Sequence, residues 1–242
     1  MNNDLKRLRQ FLELPVGTSD GVFERFAEIP RSIFIGQDQE RFLYVRGHRD
    51  NKVLLVAHAD TVWDRHYKRH YDGNHELRFD NGIIKSGTKD CGIGADDRSG
   101  CAIVWLLQDF GHSILITDGE EGGKTGASWL MSDNKDIAEE INSNHQFVIQ
   151  FDRRNGADFK CYCVGTDEFR SYVAMKTGYV EPDRTQSTDI CVLCEKITGV
   201  NLSIGFYNEH TNEEYLVIAQ WQHTLNLARK WLSEPDLPRF SL

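Results

Sequence analysis

His58 and Asp60 close the run Val53-Leu54-Leu55-Val56-Ala57-His58-Ala59-Asp60. Five consecutive apolar residues predict a strand buried on both faces, with His58 at its carboxyl end. Ligands and catalytic groups of open α/β sheets gather at that end. Residues i and i+2 of an extended chain point the same way, so Asp60 falls on the His58 side. An imidazole whose second nitrogen is held by a carboxylate is suited to ligate a metal.

The same arrangement recurs downstream. Gly94-Ala95-Asp96-Asp97-Arg98-Ser99-Gly100 precedes a helical run that starts at Cys101. Ser113–Thr117 predicts a buried strand that runs into Asp118-Gly119-Glu120-Glu121-Gly122-Gly123. A strand through Phe147 and Phe151 delivers Asp152, and another, 200–206, precedes His210. Carboxylates gathered at one sheet edge repel one another unless a cation compensates them. Two divalent ions sharing one carboxylate would do so, with His, Asp and Glu as donors.

The order His-x-Asp, Asp-Asp, Glu-Glu, Asp, His is similar to that of the two-zinc exopeptidases, which include bacterial aminopeptidases, glutamyl aminopeptidases, peptidase T and lidded carboxypeptidases and deacylases. The similarity is carried by His58-Ala59-Asp60-Thr61-Val62, residues 94–100, Glu120-Glu121-Gly122, Phe151-Asp152 and His210-Thr211-Asn212-Glu213, most of the chain. The resemblance implies Asp96 as the bridging carboxylate. Asp97 is the competing choice, and its alternative role is to cap the following helix. One ion would take His58, Asp96 and Asp152, and the other Asp96, Glu121 and His210. Asp60 would orient His58. Glu120 would be the general base on a water activated by two metals, and Glu121 a ligand. Zinc is the first choice of metal, and cobalt or manganese would suit the same donors. The implied activity is exopeptidase, of the aminopeptidase kind, on a small peptide or aminoacyl substrate. The alternatives are an N-acyl amino acid deacylase (amidohydrolase) and a non-catalytic metal-binding domain of the same fold.

The elements that must position these residues alternate. An amphipathic helix carries Leu5, Leu8, Phe11 and Leu12 at helical spacing. Helices are expected over 22–29, 98–107, 125–131, 169–176, 189–198 and 215–232, and strands near 32–35 and 42–45. Asp80-Asn81-Gly82 predicts a hairpin turn within a polar excursion over 63–93. Strands alternating with helices predict an α/β fold, a three-layer α/β/α sandwich with a mainly parallel, mixed central sheet. Residues 1–242 read as one catalytic domain, and residues 235–242 as a tail. The 58-residue step from Asp152 to His210 has no room for the lid domain of the lidded relatives.

The net charge of −9 argues against a nucleic-acid or membrane-surface partner. No run approaches the ~20 apolar residues of a membrane span, and the amino-terminal residues lack a signal-peptide core. A cytoplasmic setting is therefore expected, with reduced thiols. Cys161 and Cys163 lie in an expected strand and Cys191 and Cys194 in an expected helix. They read as buried free cysteines, with a four-thiolate zinc site as the alternative. Arg153 and Arg154 could pair with a substrate carboxylate or with a ligand carboxylate. His66, His70, His75 and His223 read as solvated or locally bonded.

Overall fold

Buried apolar runs form the middle of a seven-stranded sheet in the computed structural model, which describes residues 3–183 and 187–242; Met1, Asn2 and residues 184–186 lie outside it. In chain order the elements are α1 (Asn3–Leu12), α2 (Asp20–Ala27), β1 (Ser32–Gln37), β2 (Glu40–Val45), β3 (Leu54–His58), β4 (Leu77–Asp80), β5 (Ile83–Ser86), α3 (Ala95–Leu106), β6 (Ser113–Thr117), α4 (Thr125–Asp133), α5 (Lys135–Asn144), β7 (Val148–Arg153), β8 (Phe159–Lys160), α6 (Asp167–Thr177), α7 (Ile190–Leu193), β9 (Gly199–Ser203), β10 (Phe206–Tyr207), β11 (Tyr215–Val217) and α8 (Ile218–Leu232). The large sheet runs β1-β2-β6-β3-β7-β9-β8. Its four central strands are parallel, and β1, β2 and β8 add to the margins antiparallel.

The period of two along each strand divides the core between the two sheet faces. On one face Leu55, Ala57, Ile149 and Phe151 pack with apolar residues of α1, α2, α3, α6 and α8. On the other, Leu54, Val56 and Val148 pack with residues of α4, α5 and α7. Helices thus cover both faces, giving the expected three layers. Every residue of β3 and β6 is buried, as continuous apolar runs between two helical layers require.

A second sheet, β10-β11-β5-β4, holds the polar excursion. Asn81 and Gly82 turn the β4–β5 hairpin with φ of 47° and 81°, as a two-residue turn between antiparallel strands demands.

Several local expectations differ from the structure. Tyr215–Val217 is a strand, because Tyr215, Leu216 and Val217 pair with β5, and the last helix starts only at Ile218. The segment 189–198 has a helix of four residues, after which Cys194 turns extended. α5 was not anticipated, though Ala138 and Ile141 bury one face of it. The 235–242 segment is docked: Leu237 and Phe240 are buried, and the Phe240 N–H donates to the Gln146 carbonyl. Cys161 and Cys163 follow β8 rather than lying in it. Cys161 and Cys194 are buried, Cys191 is half-buried and Cys163 is exposed, so burial holds for only part of the set. No helix among the described residues is long and apolar enough to cross a membrane.

Candidate metal centre

The carboxyl edge of the parallel strands collects the site. His58 is the last residue of β3, Glu120 and Glu121 follow β6 after a tight turn at Gly119 (φ 71°), and Asp152 lies near the end of β7. Asp96 and Asp97 open α3 in non-helical conformation (φ −84°, ψ 98° and φ −123°, ψ 36°), and the peptide between them is cis. His210 comes from the β10–β11 connection with φ 64°, in the left-handed region that non-glycine residues occupy sparingly.

The donor atoms converge in two groups that share Asp96: His58, Asp96 and Asp152, and Asp96, Glu121 and His210. His58 Nε2 stands 3.1 Å from Asp96 Oδ1 and 3.3 Å from Asp152 Oδ1. His210 Nε2 stands 3.2 Å from Asp96 Oδ2 and 3.0 Å from Glu121 Oε2. His58 Nδ1 faces two acceptors, the Asp60 carbonyl at 3.1 Å and Asp60 Oδ1 at 3.3 Å. Nδ1 therefore carries a proton, and Nε2 is the nitrogen turned to the centre, where, despite burial, the carboxylates of Asp152, Asp60 and Asp96 raise the ring well above its usual range.

Asp97 has other partners. Its Oδ2 accepts from the His58 N–H (3.1 Å) and its Oδ1 from the Gly100 N–H (3.0 Å), so it caps α3 and ties it to β3. A side chain at Gly100 would collide with the Phe151 carbonyl and the Asp97 carboxylate, so the glycine permits α3 to approach β7 this closely.

Asp60 is fully used. Oδ1 accepts from the Glu120 N–H (3.2 Å), and Oδ2 from the Glu121 N–H (3.2 Å) and the Tyr67 hydroxyl (2.7 Å). It joins the His58 ring to the backbone that presents both glutamates. Asp152 Oδ2 accepts from Gln150 Nε2 (3.0 Å), Thr188 Oγ1 (2.8 Å) and Asn201 Nδ2 (3.4 Å), and Oδ1 faces His58. Tyr67, Thr188, Asn201 and Glu214, whose carboxylate accepts from the Gly94 and Asp96 N–H groups, were not anticipated.

Electrostatics fit a cation-requiring site. Burial and the neighbouring carboxylates push Asp152 up to about 6 and Glu121 up to about 7. Burial, then Asp152, raises Glu120 well above the usual carboxylate range. Against the cost of burial, hydrogen bonds from His210 and His58 hold Asp96 below it. Despite its own burial, His210 is raised to about 11 by Asp96 and Glu121. Glu121 Oε1 is buried with no hydrogen-bond partner. Two imidazoles and three carboxylates, with one oxygen orphaned and the carboxylates in excess, are a donor set of the kind that can hold a metal ion.

A pocket of about 190 Å³ opens onto this edge, lined by Asp96, Glu120, Asp152 and His210 and farther out by Arg154, Tyr162 and Phe206. Neither arginine contacts Asp152 through an ion pair: Arg153 pairs with Asp158 (2.6 Å) and Arg154 with Glu209 (2.7 Å). His75 Nε2 meets the Leu12 carbonyl at 2.7 Å, and His70 is exposed.

The sheet order and the helical layers give a fold shared with solved aminopeptidase structures. The chain is similar to the aminopeptidase PepT of Bacillus cereus, with TM-score 0.65, 13% identity, and 96% of this chain and 98% of that one covered. A tripeptidase of Staphylococcus aureus gives TM-score 0.65 at 12% identity over 95% and 97% of the two chains. The TET1 peptidase of Pyrococcus horikoshii, which can assemble into a tetrahedron or a large octahedral shell, gives 0.65 at 15% identity over 96% and 100%. No family model and no curated protein sequence matches the chain.

Proposed function

We propose that this chain is a metal-dependent exopeptidase, of the aminopeptidase kind, hydrolysing a peptide or amide bond near a free amino terminus in the cytoplasm. The observation that carries the reading is the pair of donor groups sharing Asp96 with Glu120 beside them in an open pocket. The similarity of the fold to solved peptidases supports it. Residues 1–242 act as one catalytic unit in this reading. Between Asp152 and His210 the described residues form only β8, α6, α7, β9 and β10.

His58, Asp96 and Asp152 would hold one divalent ion, and Asp96, Glu121 and His210 the second, zinc being the metal this donor set suits first. Bound there, the ions would polarise the scissile carbonyl and make a nucleophilic water available at neutral pH. Glu120 is the proton carrier of the scheme. Its carboxylate takes a proton at Oε from the attacking water and returns it to the leaving amine. Asp60 keeps His58 and the Glu120 backbone in register. The pocket has room for about one amino-acid residue, which suits cleavage at a chain end.

The test is a screen of aminoacyl, dipeptide and N-acyl amino acid substrates with metal-reconstituted protein, wild type beside Glu120→Gln. Aminoacyl or dipeptide hydrolysis is expected, falling by about 10²- to 10⁴-fold in the variant with bound metal unchanged. Cleavage confined to N-acyl compounds would overturn the aminopeptidase reading. Unaltered turnover in Glu120→Gln would remove Glu120 from its role.

A further inference from the structure

Glu214 is a buried carboxylate four residues beyond His210, 2% exposed, just before β11. Its Oε2 accepts from the Gly94 N–H at 2.8 Å and its Oε1 from the Asp96 N–H at 3.1 Å. These donors belong to the segment that enters α3, where Gly94 is left-handed (φ 61°) and Asp96 and Asp97 are not yet helical. One side chain thereby fixes the backbone on both sides of Ala95, immediately under the carboxylate shared by the two donor groups.

The surroundings are shaped for this contact. A Cβ placed on Gly92 would lie 2.5 Å from Glu214 Oε2 and 2.8 Å from the Thr211 carbonyl, so the glycine makes room for the carboxylate. The Glu214 N–H in turn donates to the Thr211 carbonyl at 3.2 Å, closing the turn that follows His210. Glu214 thus links the backbone of Asp96 to the turn that carries His210, the two residues whose side chains meet at 3.2 Å.

Each N–H has its own oxygen, which a carboxylate supplies and a carboxamide, with one acceptor oxygen and an NH₂ donor, does not.

We propose that Glu214 is a positioning residue of the metal centre. It holds the Asp96 backbone and the His210 turn in the arrangement in which both side chains can share an ion. The proposal rests on the two-metal reading given above. Partners of this kind orient ligands without touching the metal, and their loss characteristically weakens metal binding.

The test uses Co²⁺ alone as the probe on metal-free full-length protein, read by visible absorption and titration calorimetry, with circular dichroism and the metal-free unfolding midpoint as controls. Wild type is expected to take up two equivalents. Glu214→Gln preserves volume but turns a donor toward one of the two N–H groups. It should keep the wild-type dichroism, bind Co²⁺ roughly 10- to 100-fold more weakly and show an altered visible band. A variant with a lowered metal-free midpoint but wild-type Co²⁺ affinity and band would make Glu214 a structural cap only and overturn the proposal. If Glu214→Gln does not fold, Gly92→Ala decides. A weakened, shifted Co²⁺ signature there supports the assignment, and a wild-type signature overturns it. Failure of the wild type itself to bind two equivalents overturns the two-metal reading, and the Glu214 proposal with it.

Discussion

Asp60 makes the most economical residue-scale prediction, because its two carboxylate oxygens serve four neighbours at once. Oδ1 and the Asp60 carbonyl flank His58 Nδ1, and the oxygens together accept the N–H groups of both glutamates and the Tyr67 hydroxyl. Asp60→Ala leaves the His58 ring with only the backbone carbonyl of residue 60 at Nδ1 and strands two backbone donors. Zinc affinity of the folded protein should fall roughly 10- to 100-fold, measured by competition with a chromophoric chelator. An unchanged affinity would mean that strand packing alone fixes His58. Three residues of the candidate centre were legible in sequence because they end an apolar strand or sit in a glycine-flanked turn: His58 after Ala57, Glu121 before Gly122, Asp152 after Phe151. Their supports were not. Thr188 reaches Asp152 across 36 residues of chain, and Glu214 reaches Gly94 across 120, contacts that no local spacing announces.

Among the elements, strands were readable where burial on both faces makes a continuous apolar run, as in β3 and β6. They were lost where pairing is remote. Tyr215–Val217 leads directly into a helix, and only its antiparallel partner β5 makes it a strand. His112 and His145 show elements held by imidazoles that must stay neutral. His112 Nδ1 accepts from the Val53 N–H (3.2 Å), and Nε2–H donates to the Leu232 carbonyl (3.0 Å), joining the start of β3 to the end of α8. His145 lies 3.0 Å from the Ile141 carbonyl and 2.7 Å from Ser113 Oγ. Burial lowers both to about 4. A folded-state value below the unfolded 6.5 means that the unfolded chain takes up the proton first. This stability is complete above about pH 6.5 and lost as pH falls toward 4. Between pH 7 and 5 each imidazole should cost roughly 2 kcal/mol. The site carboxylates with raised values act in the opposite direction, so the wild type and His112→Asn should be compared. Urea midpoints should fall less steeply with acid in the variant, and parallel pH slopes would exclude His112 as a titrating clasp.

At the scale of the whole molecule, the centre joins segments that are far apart in sequence: the end of β3, the start of α3, the turn after β6, the end of β7 and the β10–β11 connection. Sheet and helices bring them together, but the carboxylates they deliver repel in a chain whose net charge is already −9. Part of the folding free energy is therefore spent against that repulsion, and divalent cations bound only by the folded state would return it. At a free metal concentration 100-fold above the dissociation constant, one such ion stabilises the fold by about 2.7 kcal/mol. For a domain of this size that corresponds to a melting shift on the order of 5–10 °C. Zinc-loaded protein should melt higher than protein stripped with chelator, by scanning calorimetry at pH 7.5. His210→Ala removes a donor from only one of the two groups and should retain part of the shift. Glu120→Gln belongs to neither group and should retain all of it. Identical melting with and without metal would show that protons on His58 and His210 already relieve the repulsion, and that the sheet edge is stable as an ion-pair cluster in its own right.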